Sequence, residues 1–221
     1  MSDGQAKKQT PGEEIANSVT HGVGAALAVA ALTVLVTFAG IFGDVWRVVS
    51  FSIYGATLVL LYLSSTLYHG LQAPKAKKVF HIFDRTAIYL LIAGSYTPFF
   101  LVSLRGSWGW TFFGIIWGLA VIGIVLTVFF VDRYNFLSVA TYIGMGWLAV
   151  LAIKPLMAAI SINGLAWLVI GGLFYTSGVI FYAWKRLPFN HMVWHLFVLG
   201  GSISHFFCIL FYVLPMNPPQ G

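Results

Sequence analysis

The chain has 221 residues, of which 59% are hydrophobic, 17% aromatic and only 8% charged. Soluble domains carry about 25% charged residues, so this composition excludes a water-soluble fold and calls for a membrane-embedded one. The net charge of +6 fits the bias that orients membrane proteins better than nucleic-acid binding, and the single Cys208 excludes an intramolecular disulfide framework.

Stretches free of Asp, Glu, Lys and Arg run over 15–43, 48–74, 86–104, 106–131, 134–153, 155–184 and 187–221, each at least 19 residues long. A helix needs roughly 20 to cross the hydrocarbon core. They predict an all-α membrane protein with seven transmembrane helices, near 21–42, 47–69, 84–104, 108–131, 135–153, 163–184 and 191–213. The expected organisation is one domain over 1–221, with a polar cytoplasmic leader over 1–14. Strand alternation is absent, which speaks against a β-barrel. The first apolar run follows an acid-containing leader and is long enough to span, unlike a cleavable signal peptide. One end of the spans would carry Lys7, Lys8, Lys75, Lys77, Lys78, Arg85, Arg133, Lys185 and Arg186, and the other only Arg47, Arg105 and Lys154. Nine cations against three predict a cytoplasmic N-terminus, and seven spans then put the C-terminus outside. Trp46, Trp108, Trp110, Tyr134 and Trp184 suit interfacial belts.

With so little charge, ionisable groups near the spans are the functional candidates. Glu14, Asn17 and His21 share one stripe of the entering helix, as polar partners behind a site, as a lid beneath it, or as an ordinary helix start. Ser65 lies one turn before His69 at the end of the second helix; its hydroxyl can hold an oxyanion or bond back to its own helix. Asp84 is expected at the start of the third helix, as a metal ligand, a partner orienting an imidazole, or a general base. The alternative is an Asp favoured there by the helix dipole. His191-Met-Val-Trp-His195 opens the seventh helix. Residues four apart lie about 40° around and 6 Å along, so both imidazoles face one way, at a spacing suited to two zinc ligands. The glutamate of HExxH is missing, so any base must come from another helix. His69, Asp84, His191, His195 and His21 all fall at the cytoplasmic end by the charge count; snorkelling into headgroups is the alternative. His205 lies about 15 Å beyond His195, too far to share its metal, and is either a buried hydrogen-bonding histidine or a polar contact in a cavity. His81 belongs to the expected connector, Lys75-Ala-Lys77-Lys78 reads as a topology determinant, and Gly114-x-x-x-Gly118 as a close helix contact.

Glu14-x-x-Asn17-x-x-x-His21, Ser65-x-x-x-His69, Asp84 followed closely by "AIYLLIAGSYTP", and "HMVWHLFVLGGSISHF" resemble the bacterial hemolysin III branch of the progestin and adipoQ receptor (PAQR) family. The resemblance covers all seven spans. It implies zinc as cofactor, held by His69, His191 and His195, with Asp84 and Ser65 completing the site. It also implies a bacterial inner-membrane location and a role in membrane homeostasis, with membrane lipids or fatty acids as ligand or substrate and no nucleic acid. The long soluble N-terminal region of the animal receptors has no counterpart here. A more distant resemblance to alkaline ceramidases implies hydrolysis of a lipid amide or ester, in which Asp84 accepts a proton from water and Ser65 steadies the oxyanion. Three functions are thus expected in this order: regulator or receptor of membrane lipid state, zinc-dependent intramembrane hydrolase, and pore-forming cytolysin. The last lacks a continuous polar stripe to line a channel.

Overall fold

The structure is a computed structural model that describes residues 9–131, 133 and 135–215. Lys7, Lys8 and Tyr134, which entered the charge and aromatic-belt readings, lie outside the described residues. Among the described residues the fold is all-α, and seven helical stretches are long and apolar enough to cross a membrane. They are α1 (Pro11–Phe42), α2 (Val45–Gly70), α3 (Pro74–Pro98) continued by a π-turn (Phe99–Ser103), and α4 (Ser107–Phe130). The fifth span joins α5 (Asn135–Gly146), a 3-10 turn (Leu148–Ala152) and α6 (Ile153–Ala159). The last two spans are α7 (Ile162–Ala183) and α8 (Asn190–Cys208), which ends in a second π-turn (Ile209–Val213).

Two helices begin about ten residues earlier than expected. Hydropathy marks the part of a helix inside hydrocarbon, whereas α1, with 32 residues, is about 48 Å long against a core of about 30 Å. Its projecting first turns start at a capping box: the Glu13 N–H donates to Thr10 Oγ1 at 3.3 Å, and the Thr10 N–H donates to Glu13 Oε2 at 2.8 Å. Pro11 at the first helical position fits the same start. Residues 11–14 are therefore helix, not leader. Likewise α3 begins at Pro74, so "PKAKK" is its first turn and not a connector. Asp84 lies well inside α3, and the helix-dipole account of it falls away.

Spans two and three are the most enclosed and the fifth the least. α1 packs chiefly on α2, α2 on α3, and α7 on α8, while α8 also touches α1 and so brings the last span beside the first. Tyr54, Tyr62, Phe51, Phe99 and Phe100 are fully buried at the centre, whereas Phe129 and Phe136 point outward into the surface that lipid would cover. Pro98 lacks an N–H, and the helix behind it widens into the π-turn, with the Leu104 N–H donating to the Phe99 carbonyl at 2.8 Å. Gly106, at φ 137°, then turns the chain into α4. Gly114 and Gly118 are exposed, and a Cβ at either would meet nothing within 4 Å. The expected GxxxG contact is therefore not made among the described residues. Cys208 is buried and donates to the Gly164 carbonyl at 3.2 Å.

Water is absent from the bilayer core, so backbone released by irregular helices needs protein partners. At the end of α8, Arg47 Nε donates to the carbonyls of Val213 at 3.2 Å and Leu214 at 2.9 Å. Arg47 is itself held by Asp44 at 3.0 Å. The fifth span was expected unbroken to residue 153; it runs to Ala159 and breaks after Gly146. Gly144, Gly146 and Pro155 weaken it. Tyr96 repairs the break: its hydroxyl donates to the Gly146 carbonyl at 2.5 Å and accepts from the Ala149 N–H at 3.0 Å. Tyr96→Phe is expected to destabilise the protein by about 1–3 kcal/mol, the cost of two backbone groups left without partners at a break where the hydrocarbon offers no water. Thermal unfolding in detergent reads this directly, and an unchanged midpoint would show that the break needs no support.

Candidate metal centre

Two helices, α2 and α8, bring three imidazoles together at one end of the bundle. The start of α8 is fastened twice: the Phe189 N–H donates to Glu13 Oε1 at 3.4 Å, and Asn190 Nδ2 donates to the carbonyls of Phe181 and Tyr182 on α7. This fixes His191 and His195 opposite His69 at the end of α2. Ring centroids lie 4.6 Å apart for His191–His195, 5.0 Å for His69–His191 and 5.3 Å for His69–His195. One nitrogen from each ring lies within 4.8 Å of the others, so the three can hold a metal ion. His69 is 1% exposed and His195 0%.

The hydrogen-bond partners decide which nitrogen is available. His69 Nδ1 lies 2.6 Å from Glu14 Oε2. A carboxylate only accepts, so Nδ1 carries the proton and Nε2 keeps its lone pair. Thr20 already donates its hydroxyl proton to backbone carbonyls of α1, so at 3.3 Å from His195 Nδ1 its oxygen accepts there. His195 Nε2 is therefore also a lone-pair nitrogen. Among the described residues, Nε2 of His69, His191 and His195 are all buried without a hydrogen-bond partner. Such groups cost about 1–3 kcal/mol each when nothing meets them. A metal ion would answer all three, and the Glu14–His69 pair has the carboxylate–histidine arrangement that orients metal ligands.

The stripe of α1 thus lies behind the site. Glu14 also accepts from Lys77 Nζ at 2.8 Å, joining α1, α2 and α3. Asn17 is wholly buried, with Nδ2 donating to Gln9 Oε1 at 2.8 Å. His21 stacks on His195 at 3.4 Å between centroids and meets Tyr62 edge-on. Ser65 is 0% exposed and, unlike Ser64, makes no bond back to its own helix. It faces Asp84, whose carboxyl also feels His69, Arg85 and His81. His81 is on α3 and stacks on Tyr68 at 4.9 Å, which corrects its placement in a connector. Glu13 and Thr20 escaped the sequence reading, which took Lys77 only as a topology determinant. Only the Thr10–Glu13 capping spacing offered a signal for any of them.

His69, Asp84 and His191 open on a cavity of about 280 Å³ between α3, the fifth span, α7 and α8. Its wall is mainly apolar, with Ile92, Leu168 and Val198 along it and His205 farther in. Trp147 Nε1 donates to Thr176 Oγ1 at 3.0 Å and ties the fifth span to α7 beside it. At the site's outer rim Lys185 lies over the Tyr182 ring at 4.2 Å. Partial burial and the neighbouring Arg85 lower its pKa.

Fold and site define a class: a seven-span integral membrane protein whose histidine cluster adjoins a cavity within the bundle. Residues 9–206 match the family described as Haemolysin-III related. The chain is 54% identical to Hemolysin-3 of Bacillus cereus over 203 residues, covering 92% of this chain and 93% of that one. It is 52% identical to the Hemolysin-3 homolog of Bacillus subtilis (strain 168) over 200 residues, covering 90% and 94%. It is 31% identical to the monocyte to macrophage differentiation factor of Homo sapiens over 215 residues, covering 93% and 87%. This chain therefore belongs to the hemolysin III family. No solved structure matches it.

Removing Glu14 orphans a buried imidazole N–H, whereas removing Lys77 frees a partly exposed ammonium that water can serve. Glu14→Ala is therefore expected to lower stability by about 1–3 kcal/mol and Lys77→Ala by under about 1 kcal/mol. Paired thermal or denaturant unfolding curves measure the difference, and equal losses would contradict this ranking.

Proposed function

We propose that this protein is a zinc-binding regulator of membrane lipid state, resident in the bacterial inner membrane with its N-terminus in the cytoplasm. A fatty acid or lipid in the cavity is its ligand. The observation that carries this reading is the trio of unpartnered Nε2 atoms beside a mainly apolar cavity. Three neutral imidazole nitrogens with room for a further ligand are a donor set that zinc accepts. When bound, zinc supplies Lewis acidity at that end of the cavity.

The chain's own residues do the rest. Glu14 and Thr20 hold the tautomers that leave the nitrogens of His69 and His195 available, and His21 keeps the His195 ring in place. The apolar wall takes an acyl chain and excludes water. Lys77, Arg85 and Lys185 surround the site with positive charge, which favours an anionic head group. The name hemolysin belongs to the Bacillus relatives; the largely apolar wall favours a lipid over an aqueous pore.

A second reading, zinc-dependent hydrolysis of a lipid amide or ester, is favoured by Asp84 and Ser65 lying together beside His69. Asp84 would take a proton from water, and the Ser65 hydroxyl would donate to a developing oxyanion.

Metal analysis of the purified protein is expected to find about one zinc per chain. His69→Ala should lose it and unfold more readily, and Asp84→Ala should keep both zinc and fold. Zinc-free wild-type protein, purified without chelators, would sink both readings. With zinc present, no turnover of ceramide, acyl amide or phospholipid supports the regulator. Turnover that Asp84→Ala abolishes would move the assignment to the hydrolase.

A further inference from the structure

The inner part of the cavity holds a polar group that a plain hydrocarbon chain does not need. His205 is 8% exposed and lines the cavity on α8. Its Nε2 lies 3.3 Å from the Leu168 carbonyl oxygen, which can only accept, so Nε2 carries the ring proton. Nδ1 is then a lone-pair acceptor, and among the described residues it has no partner. Rotation gives no relief, because the ring is pressed against α7: a Cβ at Gly171 would come within 2.2 Å of it. On another side Tyr175 meets it edge-on at 5.4 Å. The Tyr175 hydroxyl is engaged with Ser202 Oγ at 2.9 Å, and the same serine accepts from Tyr62 at 2.7 Å. A water beside Nδ1 needs two to four polar partners, and Leu165, Leu168 and Val198, which line the same cavity, supply none from their side chains.

We propose that His205 Nδ1 is a recognition point for a hydrogen-bond donor carried along the lipid chain, a hydroxyl group in the first instance. His205 lies ten residues beyond His195 on one helix, about 15 Å farther in. Each C–C bond of about 1.5 Å advances somewhat less than its length along an extended zigzag chain, so that distance corresponds to roughly a dozen carbons from the head group. The ligand class is thus a hydroxylated fatty acid or acyl lipid, with its polar head at the histidine cluster and its hydroxyl at His205. A keto group at the same carbon would fail, since it offers a second acceptor to an acceptor. The inference rests on the reading of the cavity as a lipid site and adds its selectivity.

The test uses full-length, zinc-loaded protein in detergent and three octadecanoic acids. One carries a hydroxyl about twelve carbons from the carboxyl, one a ketone at that carbon, and one neither. Displacement of a fluorescent fatty acid should show the hydroxy acid binding at least about tenfold more tightly than the other two. His205→Leu should erase this preference and leave the plain acid bound as before. His205→Asn, which keeps an acceptor, should retain part of the preference and guards against misfolding of the leucine variant. Equal binding of hydroxy and plain acids by the wild type would overturn this inference alone. Binding of none of the three would overturn it together with the lipid-cavity reading.

Discussion

The Glu14 carboxylate holds three spans and one ring in register. One oxygen takes the proton of His69 Nδ1 and the other takes Lys77. Because the carboxylate cannot donate, the imidazole has only one tautomer open to it, and the lone pair on Nε2 turns away from α1 toward the rings on α8. The availability of His69 as a ligand thus follows from a group 55 residues earlier in the chain. Glu13, the next residue back, closes the cap of α1 and reaches the backbone at the start of α8. Two consecutive glutamates therefore set both halves of the histidine cluster.

The rest of the bundle obeys the same accounting of polar groups in a medium without water. Regular helices satisfy themselves, and every irregularity described in the backbone coincides with a side chain that repairs it or a shift to another helical pattern. Tyr96 mends the fifth span, Arg47 closes the last one, and the π-turn behind Pro98 finds its bond one residue farther back. Against that background, among the described residues, Nε2 of His69, His191 and His195, both nitrogens of His21 and Nδ1 of His205 stand apart as unmet. His69, His191 and His195 are close enough to share one ion, and His21 stacks on one of them. His205 is isolated farther in, which is why its chemistry differs.

Much of this was legible in the sequence, and the reasons for the remainder are physical. Seven spans follow from the uncharged runs, because charge is what the hydrocarbon excludes. The ends of α1 and α3 do not follow, since a helix continues beyond the hydrocarbon wherever its own hydrogen bonds and caps sustain it. His69, His191 and His195 could be grouped because alternate spans return to the same side. Lys77 looked like every other basic residue near the membrane, and only the packing of α3 against α1 singles it out. The stripe of Glu14, Asn17 and His21 was visible as a periodicity, but periodicity names a face, not the atom that face will meet. Asp84 was drawn to a helix start by its neighbouring charges, and its company with Ser65 needed the full length of α3.

The Glu14 bridge also bears on the order of assembly. All of its members, on α1, α2 and α3, are made and inserted before the final span exists, so the buried carboxylate has its two partners early. His191 and His195 arrive with the last helix, after six spans are in place. A half-built site therefore presents a single, pre-oriented imidazole that grips no ion firmly by itself. The three-nitrogen donor set is completed only as biogenesis closes, and a chain truncated before its seventh span would sit in the bilayer with its Glu14 bridge settled but His69 without its two companions.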